Sequence, residues 1–383
     1  MMNLKEQLQR FDIKGLKSKA ESLFMGSSDI LGVDIGSYSI KVVRIEKQGT
    51  GLHLTHWGNI PLDKGESSPE EKKQQAINIL KALLIQKGIQ TKHAAASVSG
   101  NSVIVRYVKF PLLTKDELRA TLAAEAEPFI PFDINEVHLS FHILNEIVED
   151  GQRKMESVLV AAKKDVIQSR VEVLEGAGLK PAIIDVDCFA LENVFEATLD
   201  PAQNAGSTLC LNIGHTVTNL SIIENGITRV VRDVFIAGNT FTKAIAKTLQ
   251  CDVVKAEEAK KANGLMLDAA EKEKALQEGN RDALGVSQAL AGSLKDLVAE
   301  LHRSVDFYLS QGPERSIGRI VLSGGSARMK NLSKFLTGEL KVPVTVLNPF
   351  SYLAQAPEDI PADILSAMGI AAGLALRKNR DWK

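Results

Sequence analysis

The chain has little cysteine, no long apolar run and almost no net charge, and each shortage removes a class of function. Its three cysteines, Cys188, Cys210 and Cys251, lie far apart in 383 residues without metal-ligand spacing, so neither a disulfide framework nor a thiolate metal cluster is expected. They read as buried thiols in a reducing compartment. Forty-six bases against 47 acids leave a net charge of −1, so no global field gathers nucleic acid or an anionic surface, and nothing supports nucleic acid as a partner. The longest apolar run, 364–376, has thirteen residues, short of the about eighteen that a spanning helix needs. It reads as a buried core helix, and no transmembrane segment is expected. Lys5, Glu6, Arg10, Asp12, Lys14, Lys17 and Lys19 break up any secretory apolar region near the start, which points to the cytoplasm. Apolar residues are plentiful at 44%, enough over this length for a large core and two or more domains.

One short signature occurs twice. Leu31-Gly32-Val33-Asp34-Ile35-Gly36-Ser37 and Leu209-Cys210-Leu211-Asn212-Ile213-Gly214-His215 each run an apolar strand into an acid or its amide, then Ile-Gly and a returning strand. Glycine at such a turn has no Cβ to hold a phosphate away, so backbone N–H groups can converge on its oxygens. A single copy is also what a plain hairpin looks like. Two copies, followed by Ser323-Gly324-Gly325-Ser326 after the apolar run 320–322, read as a nucleotide clamped between two related halves.

The pattern along the chain alternates. Strands are expected at 30–33, 40–46 and 52–60, a helix at 70–87 closed by Gly88, and a strand at 94–98. Residues 103–186 then read β-α-β-β-α-β: strand 103–110, a helix opened by the capping box Thr114-Lys115-Asp116-Glu117 and stopped by Pro128 and Pro131, strands 137–147 and 157–162, helix 165–175 and strand 181–186. Three strands restart at 208, residues 240–312 are mostly helical, and a helix, a strand at 342–347 and the apolar helix follow. In residues 1–25, Leu4, Leu8, Phe11, Leu16, Leu23 and Phe24 lie among lysines. That pattern suits a loose leader or a docked helix, and equally a helix for a membrane surface or a partner.

These features resemble the actin, Hsp70 and sugar-kinase superfamily, and more narrowly the PilM family of type IV pilus assembly, a relative of the cell-division family FtsA. The likeness covers about 28–376 and rests on the paired hairpins, Phe110-Pro111 before an acidic helix, Pro128-Phe129-Ile130-Pro131-Phe132, Val160-Ala161-Ala162, Asp185-Val186-Asp187-Cys188-Phe189-Ala190-Leu191 and Ala237-Gly238-Asn239-Thr240-Phe241-Thr242. It implies an α/β, actin-like fold of two duplicated ribonuclease-H-like lobes with an inserted SHS2-type module. The corresponding boundaries are a leader at 1–27, a first lobe at 28–102 and 184–206, the module at 103–183, a second lobe at 207–376 with a helical subdomain at 240–312, and a tail at 377–383.

The resemblance also implies ATP or ADP with Mg²⁺. Gly36, Ser37, Tyr38 and Ser39 would wrap the terminal phosphates, Asp34 would reach Mg²⁺ through water, and Gly214, His215 and Thr216 would close from the other side. Lys41 would add charge to the phosphates, or point outward from its strand. Gly238, Asn239 and Thr242 would line the cleft. Gly324, Gly325 and Ser326 would let the backbone approach the adenosine and α-phosphate, helped by the positive end of a following helix. Glu257 would hold the ribose hydroxyls and Lys260 the adenine; as bare residues they are equally an exposed ion pair on a helix.

One departure bears on chemistry. The family's second hairpin usually carries Asp where this chain has Asn212, which keeps size and hydrogen bonding but loses charge. Glu192 is the other catalytic candidate, although its apolar surroundings suit a plain helix. Losing one positioned charge costs about 2–4 kcal/mol of transition-state stabilisation, so ATP binding with slow turnover is expected. The function implied is a cytoplasmic scaffold, peripheral at the inner membrane, in which nucleotide acts as a conformational latch across the two lobes and which binds the N-terminal peptide of a PilN-like membrane protein and works with other pilus assembly proteins. Phe110, Phe129, Ile130 and Phe132 are the candidate peptide contacts, although such residues are usually core. The alternatives are an active ATPase or small-molecule kinase, and an FtsA-like filament former, which would carry a C-terminal amphipathic membrane helix that the ending at 376–383 is too short to supply.

Overall fold

A computed structural model of the chain describes residues 30–63, 68–149, 151–198, 206–355 and 359–378. The expected leader at 1–27 and the last five residues of the tail lie outside the described residues.

Two five-stranded sheets share one topology. β1 (Ile30–Ile35), β2 (Ser39–Gln48) and β3 (Gly51–Pro61) form a meander, extended by β4 (His93–Val98) and β8 (Lys180–Val186) in the order β3-β2-β1-β4-β8. β9 (Ser207–Ile213), β10 (Thr218–Glu224), β11 (Ile227–Val234), β12 (Ile317–Ser323) and β13 (Val344–Val346) repeat it as β11-β10-β9-β12-β13. In both, the first three strands pair antiparallel and the last two join parallel. β1 and β9 sit centrally and bury almost every residue, as strands covered on both faces do.

The helices carry the expected end signals. α1 (Pro69–Gln86) starts with Pro69 and a capping box between Ser68 and Glu71, and it buries Ala76, Leu80 and Leu83 on the first sheet. α2 (Lys115–Ala126) is capped by Thr114 and Glu117. It covers a small sheet, β5 (Val103–Pro111), β7 (Gln152–Lys163) and β6 (Val137–Glu149) in the order β5-β7-β6, around a core that includes Phe110, Leu118 and Ile130.

Two pairings differ from the sequence reading. The β-α-β-β-α-β order of elements is present, but β8 hydrogen-bonds to β4 in the first lobe and not to the small sheet. α3 (Lys164–Gly176) goes with it, because its Val173 and Leu174 bury among Leu31, Val33 and Leu80 of the first-lobe core. The inserted sheet is thus three strands and one helix. The second difference is the apolar run near the end, which forms α10 (Ala362–Leu365), a single 3₁₀ turn and α11 (Gly369–Ala375). α11 packs on β1, β2 and α4 (Asp187–Thr198) of the first lobe, although the sequence reading placed it within the second lobe, 207–376. The approach is close: a Cβ on Gly373 would lie 1.7 Å from Ala190 O, and one on Gly32 2.1 Å from Ala371 O.

The second lobe is completed by α5 (Gly238–Leu249), α6 (Val253–Asn263), α7 (Ala269–Gln277), the 29-residue α8 (Arg281–Leu309) and α9 (Leu332–Leu340). α8 lays Val286, Leu290, Leu294, Leu297 and Leu301 into the core under β9 and β10.

Candidate functional site

The duplicated hairpins close in the same way and face each other. Gly36 N–H donates to Ser39 O at 3.2 Å, and Gly214 N–H to Val217 O at 3.0 Å. A Cβ at Gly36 would stand 3.0 Å from Ser39 O, and at Gly214 2.9 Å from Val217 O, so both turns need glycine for the same reason. The tips meet across the lobes: Ser37 Oγ and Thr216 Oγ1 hydrogen-bond at 3.0 Å, and the Tyr38 and His215 rings lie 5.3 Å apart. Lys261 Nζ sits 5.7 Å from the centre of the Tyr38 ring and bonds its hydroxyl at 3.4 Å.

Beneath the first hairpin, Lys41 turns inward, and its Nζ pairs with Asp34 Oδ2 at 2.9 Å. Ser39 is buried at the start of β2. Neighbouring groups that the sequence reading missed join them at the carboxyl ends of the parallel strands, where α/β folds place ligands. Ser97 Oγ donates to Asp187 Oδ1 at 2.6 Å, and Arg170 Nε to Ser97 O at 3.1 Å. Burial, then the nearby Asp34 charge, push the Asp187 carboxyl up to about 6. Burial lowers the Arg170 guanidinium from its ordinary value, while the Asp187 and Asp34 charges oppose the shift. The sequence signal for Asp187 was its place at a strand-to-helix junction; Arg170 had none.

On the second lobe, Gly238 N–H donates to Gly214 O at 3.0 Å and Asn239 N–H to His215 O at 2.7 Å, fixing the N-terminus of α5 to the hairpin. Ser326 N–H donates to Ile213 O at 3.1 Å. Gly324 holds φ +93°, and a Cβ there would meet Ile213 O at 2.5 Å, while Gly325 faces open space. α9, the helix that follows the Gly324–Ser326 loop, begins at Leu332, where Asn331 Nδ2 donates to Leu265 O.

Glu257 and Lys260 are buried, not an exposed pair. Lys260 Nζ reaches Glu257 Oε2 at 2.6 Å, Thr242 Oγ1 at 2.9 Å and Gly238 O at 3.2 Å, and Thr242 Oγ1 donates to Glu257 Oε2 at 2.5 Å. Burial raises the Glu257 carboxyl, but the Lys260 ammonium, the Thr242 hydroxyl and Lys261 together outweigh it, and the net shift is downward. The network ties α6 to the start of α5.

Asn212 enters a chain of polar contacts. Its Nδ2 donates to Asn219 Oδ1 at 2.8 Å, Asn219 Nδ2 donates to Asp233 Oδ1 at 2.8 Å, and Asp233 Oδ2 accepts Gly100 N–H at 2.5 Å. The first three residues pair across β9, β10 and β11, while Gly100 belongs to the first-lobe loop leading into β5.

The remaining candidates stand elsewhere. Glu192 is partly buried on α4 beside Thr228 of the second lobe, and burial pushes its carboxyl up to about 7; the groups that perturb it do not include Asp34. Phe110 and Ile130 are closed inside the module's core and unavailable to a partner on its surface. Phe132 is partly buried with Lys163 Nζ 4.9 Å from its ring centre, whereas Phe129 stays exposed. Among the described residues, no cluster of three His, Cys, Asp or Glu side chains could hold a metal ion, and no helix is long and apolar enough to cross a membrane.

This architecture recurs in known proteins. The cell division protein FtsA of Bacillus subtilis (strain 168) is 22% identical over 350 residues, covering 83% of this chain and 78% of that protein. A solved PilM-PilN type IV pilus biogenesis complex superposes with a TM-score of 0.77 at 27% identity, covering 91% of this chain and 98% of the other. The ethanolamine utilization protein EutJ from Carboxydothermus hydrogenoformans gives a TM-score of 0.51 at 13% identity over 90% of this chain and 88% of its own, a likeness of fold alone. The two-lobed actin-like fold is thereby confirmed, and since the family model described as type IV pilus assembly protein PilM matches residues 32–379, the chain belongs to that family.

Proposed function

We propose that this chain binds Mg-ATP, or ADP, between its two hairpins with little hydrolysis, and uses the nucleotide to hold the lobes for docking the cytoplasmic N-terminal peptide of a PilN-like inner-membrane protein. The observation that carries the nucleotide site is the meeting of two identically closed glycine hairpins at Ser37 and Thr216, each flanked by backbone N–H groups. Gly36 and Gly214 leave cradles that a side chain would fill, which suits phosphate oxygens. Asp34, at the end of β1, offers one carboxylate, which fits a hard cation that keeps most of its waters. Bound Mg²⁺ would neutralise phosphate charge. Asp34 would orient its waters, Lys41 would exchange between carboxylate and phosphate, and the Thr242–Glu257–Lys260 cluster would hold the α5 end of the cleft.

The PilN-like partner is proposed from the complex named in the solved relative and from the inserted sheet, which adds no catalytic group to the cleft. The scaffold would then sit at the inner membrane through that partner. Calorimetric titration of Mg-ATP into the natural protein and Asp34→Ala tests the site: binding that is lost or strongly weakened in the variant is expected, and equal affinity in a folded variant overturns the assignment. An active ATPase is the second reading. Asp187, beside Asp34 with a proton affinity near neutral, is the observation that favours it. Phosphate release at several per second, an ordinary enzyme rate, would overturn the scaffold reading.

A further inference from the structure

Four residues form a continuous hydrogen-bonded line from the phosphate hairpin to the root of the inserted module. Asn212 lies next to the Ile213-Gly214 turn, Asn219 and Asp233 carry the line across the sheet, and Asp233 hands it to Gly100 on the opposite lobe. Asn212 and Asn219 are nearly inaccessible, at 7% and 5% exposure. The line has a polarity. A carboxylate only accepts, so Asp233 must receive Asn219 Nδ2; Asn219 then presents Oδ1 to Asn212, which must supply its Nδ2. Each amide orientation is dictated by the charge at one end, and a carboxylate at position 212 would set two acceptors against each other.

The far end of the line borders a cavity of about 190 Å³ at the junction of both lobes and the module. Its floor includes Gly100, Asn219 and Asp233, and its walls include Val103, Val105 and Phe235, the last half exposed. β5, the first strand of the module, begins there. Gly100 N–H can stay bonded to Asp233 only while the two lobes keep this relation, so the bond reports lobe closure at a distance from the hairpin tips.

We infer that the Asn212–Asn219–Asp233–Gly100 line is the coupling element through which nucleotide occupancy changes the module's affinity for its partner peptide. This rests on the nucleotide and peptide reading above and adds the residues that connect the two sites. The bistable element is the lobe angle: closed, the line is whole and the root of β5 is held; open, Asp233 loses Gly100 and the cavity walls separate. Coupling is a ratio of affinities, so a variant that alters ATP binding or peptide binding alone leaves it unchanged.

The test measures binding of a labelled synthetic peptide, the N-terminal segment of the PilN-like protein, to the full chain without nucleotide and with saturating Mg-ATP. In the natural protein the two affinities should differ by about fivefold or more, the usual lower range for coupled sites. Asn212→Asp keeps the shape but sets its carboxylate against Asn219 Oδ1, which Asp233 holds in place, so the line breaks at its first bond and the ratio should fall to within about twofold of one. Asn212→Asp combined with Asp233→Asn reverses the polarity and restores every bond: the new carboxylate accepts from Asn219, Asn219 accepts from the new amide, and that amide accepts from Gly100. The ratio should return in this double variant, a rescue that a merely structural role would not produce. Asn219→Ala, which cuts the middle link, serves if Asn212→Asp melts at too low a temperature to assay. A natural ratio in both Asn212→Asp and Asn219→Ala overturns the inference while the latch stands. A ratio of one in the natural protein, with both ligands bound, overturns the latch and the inference together. Absence of ATP binding overturns the site itself.

Discussion

Replacing Lys41 by Met tests the floor of the cleft most directly. The substitution keeps the length and apolar stem of the side chain and removes only the ammonium that meets Asp34 Oδ2 at 2.9 Å. Both side chains are nearly nine-tenths buried, at 12% and 11% exposure. Removing one partner of a buried ion pair costs about 3–5 kcal/mol, and a cleft that water enters belongs at the low end, about 3 kcal/mol. That is roughly a 150-fold change in the folding equilibrium. Trp57 lies on β3 of the same lobe, its indole N–H bonded to Asp359 Oδ2 at 2.7 Å, so its fluorescence in a urea titration follows the affected lobe. Without ligand, Lys41→Met should unfold earlier by that amount. Saturating Mg-ATP stabilises any protein that binds it, by about 2.7 kcal/mol at a hundred times Kd. The variant should gain more, because the metal restores a positive partner to Asp34, and the gap should shrink to about 1 kcal/mol or less. A variant as stable as the natural protein without ligand, or a gap that Mg-ATP leaves unchanged, refutes the reasoning.

Further outcomes follow from named contacts. Gly373→Ala places a methyl 1.7 Å from Ala190 O and should cost about 3 kcal/mol or more, read as a large fall in melting temperature, whereas Gly325→Ala, facing open space, should cost little. Glu192, at about 7 in the fold against 4.5 when free, keeps its proton longer folded than unfolded, so its contribution is intact below pH 4.5 and is lost as pH rises to about 7. That amounts to about 3 kcal/mol, and Glu192→Gln should flatten this part of a stability-against-pH curve. Asn212→Asp alone should destabilise by about 1–3 kcal/mol through the opposed acceptors, with recovery when Asp233→Asn is added, measured by chemical denaturation. Phe129→Lys should weaken peptide capture at unchanged melting temperature, while Phe110→Ala should cost about 3–5 kcal/mol of stability; a normal pull-down with Phe129→Lys removes that residue from the docking surface.

Much of the fold was legible because its signals are local. Glycine turns at 36 and 214, the capping box at Thr114, and alternating or continuous apolar runs marked nearly every strand and helix within a few residues. Partner choice was not legible. The periodicity of 180–186 announces a strand but not that β4, whose Ala94–Ala96 stretch is small and fully buried, is its neighbour. The same holds for α11, whose glycines reveal a close approach without saying to what. In the site, residues beside a glycine turn could be named in advance, whereas Arg170 and Asp233 reach the cleft from distant elements and look in sequence like any surface charge. As bare residues Glu257 and Lys260 also fitted an exposed pair, because helical spacing cannot show that Thr242 and Gly238 close over them.

The seating of α11 bears on how the chain is made. Ala371, Ala372 and Ala375 complete the core beneath β1 and β2, so the first lobe, started at residue 30, cannot close that face until residue 375 has been synthesised. Until then Ile30, Val43 and Ile45 lack one wall of their packing, and the emerging first lobe exposes an apolar sheet face to solvent and to chaperones. Contacts this distant in sequence make folding slow, and they tie both lobes to one late event. A ribosome-bound chain halted before residue 369 should therefore be protease-sensitive in its first lobe, even though every strand of that lobe is already present.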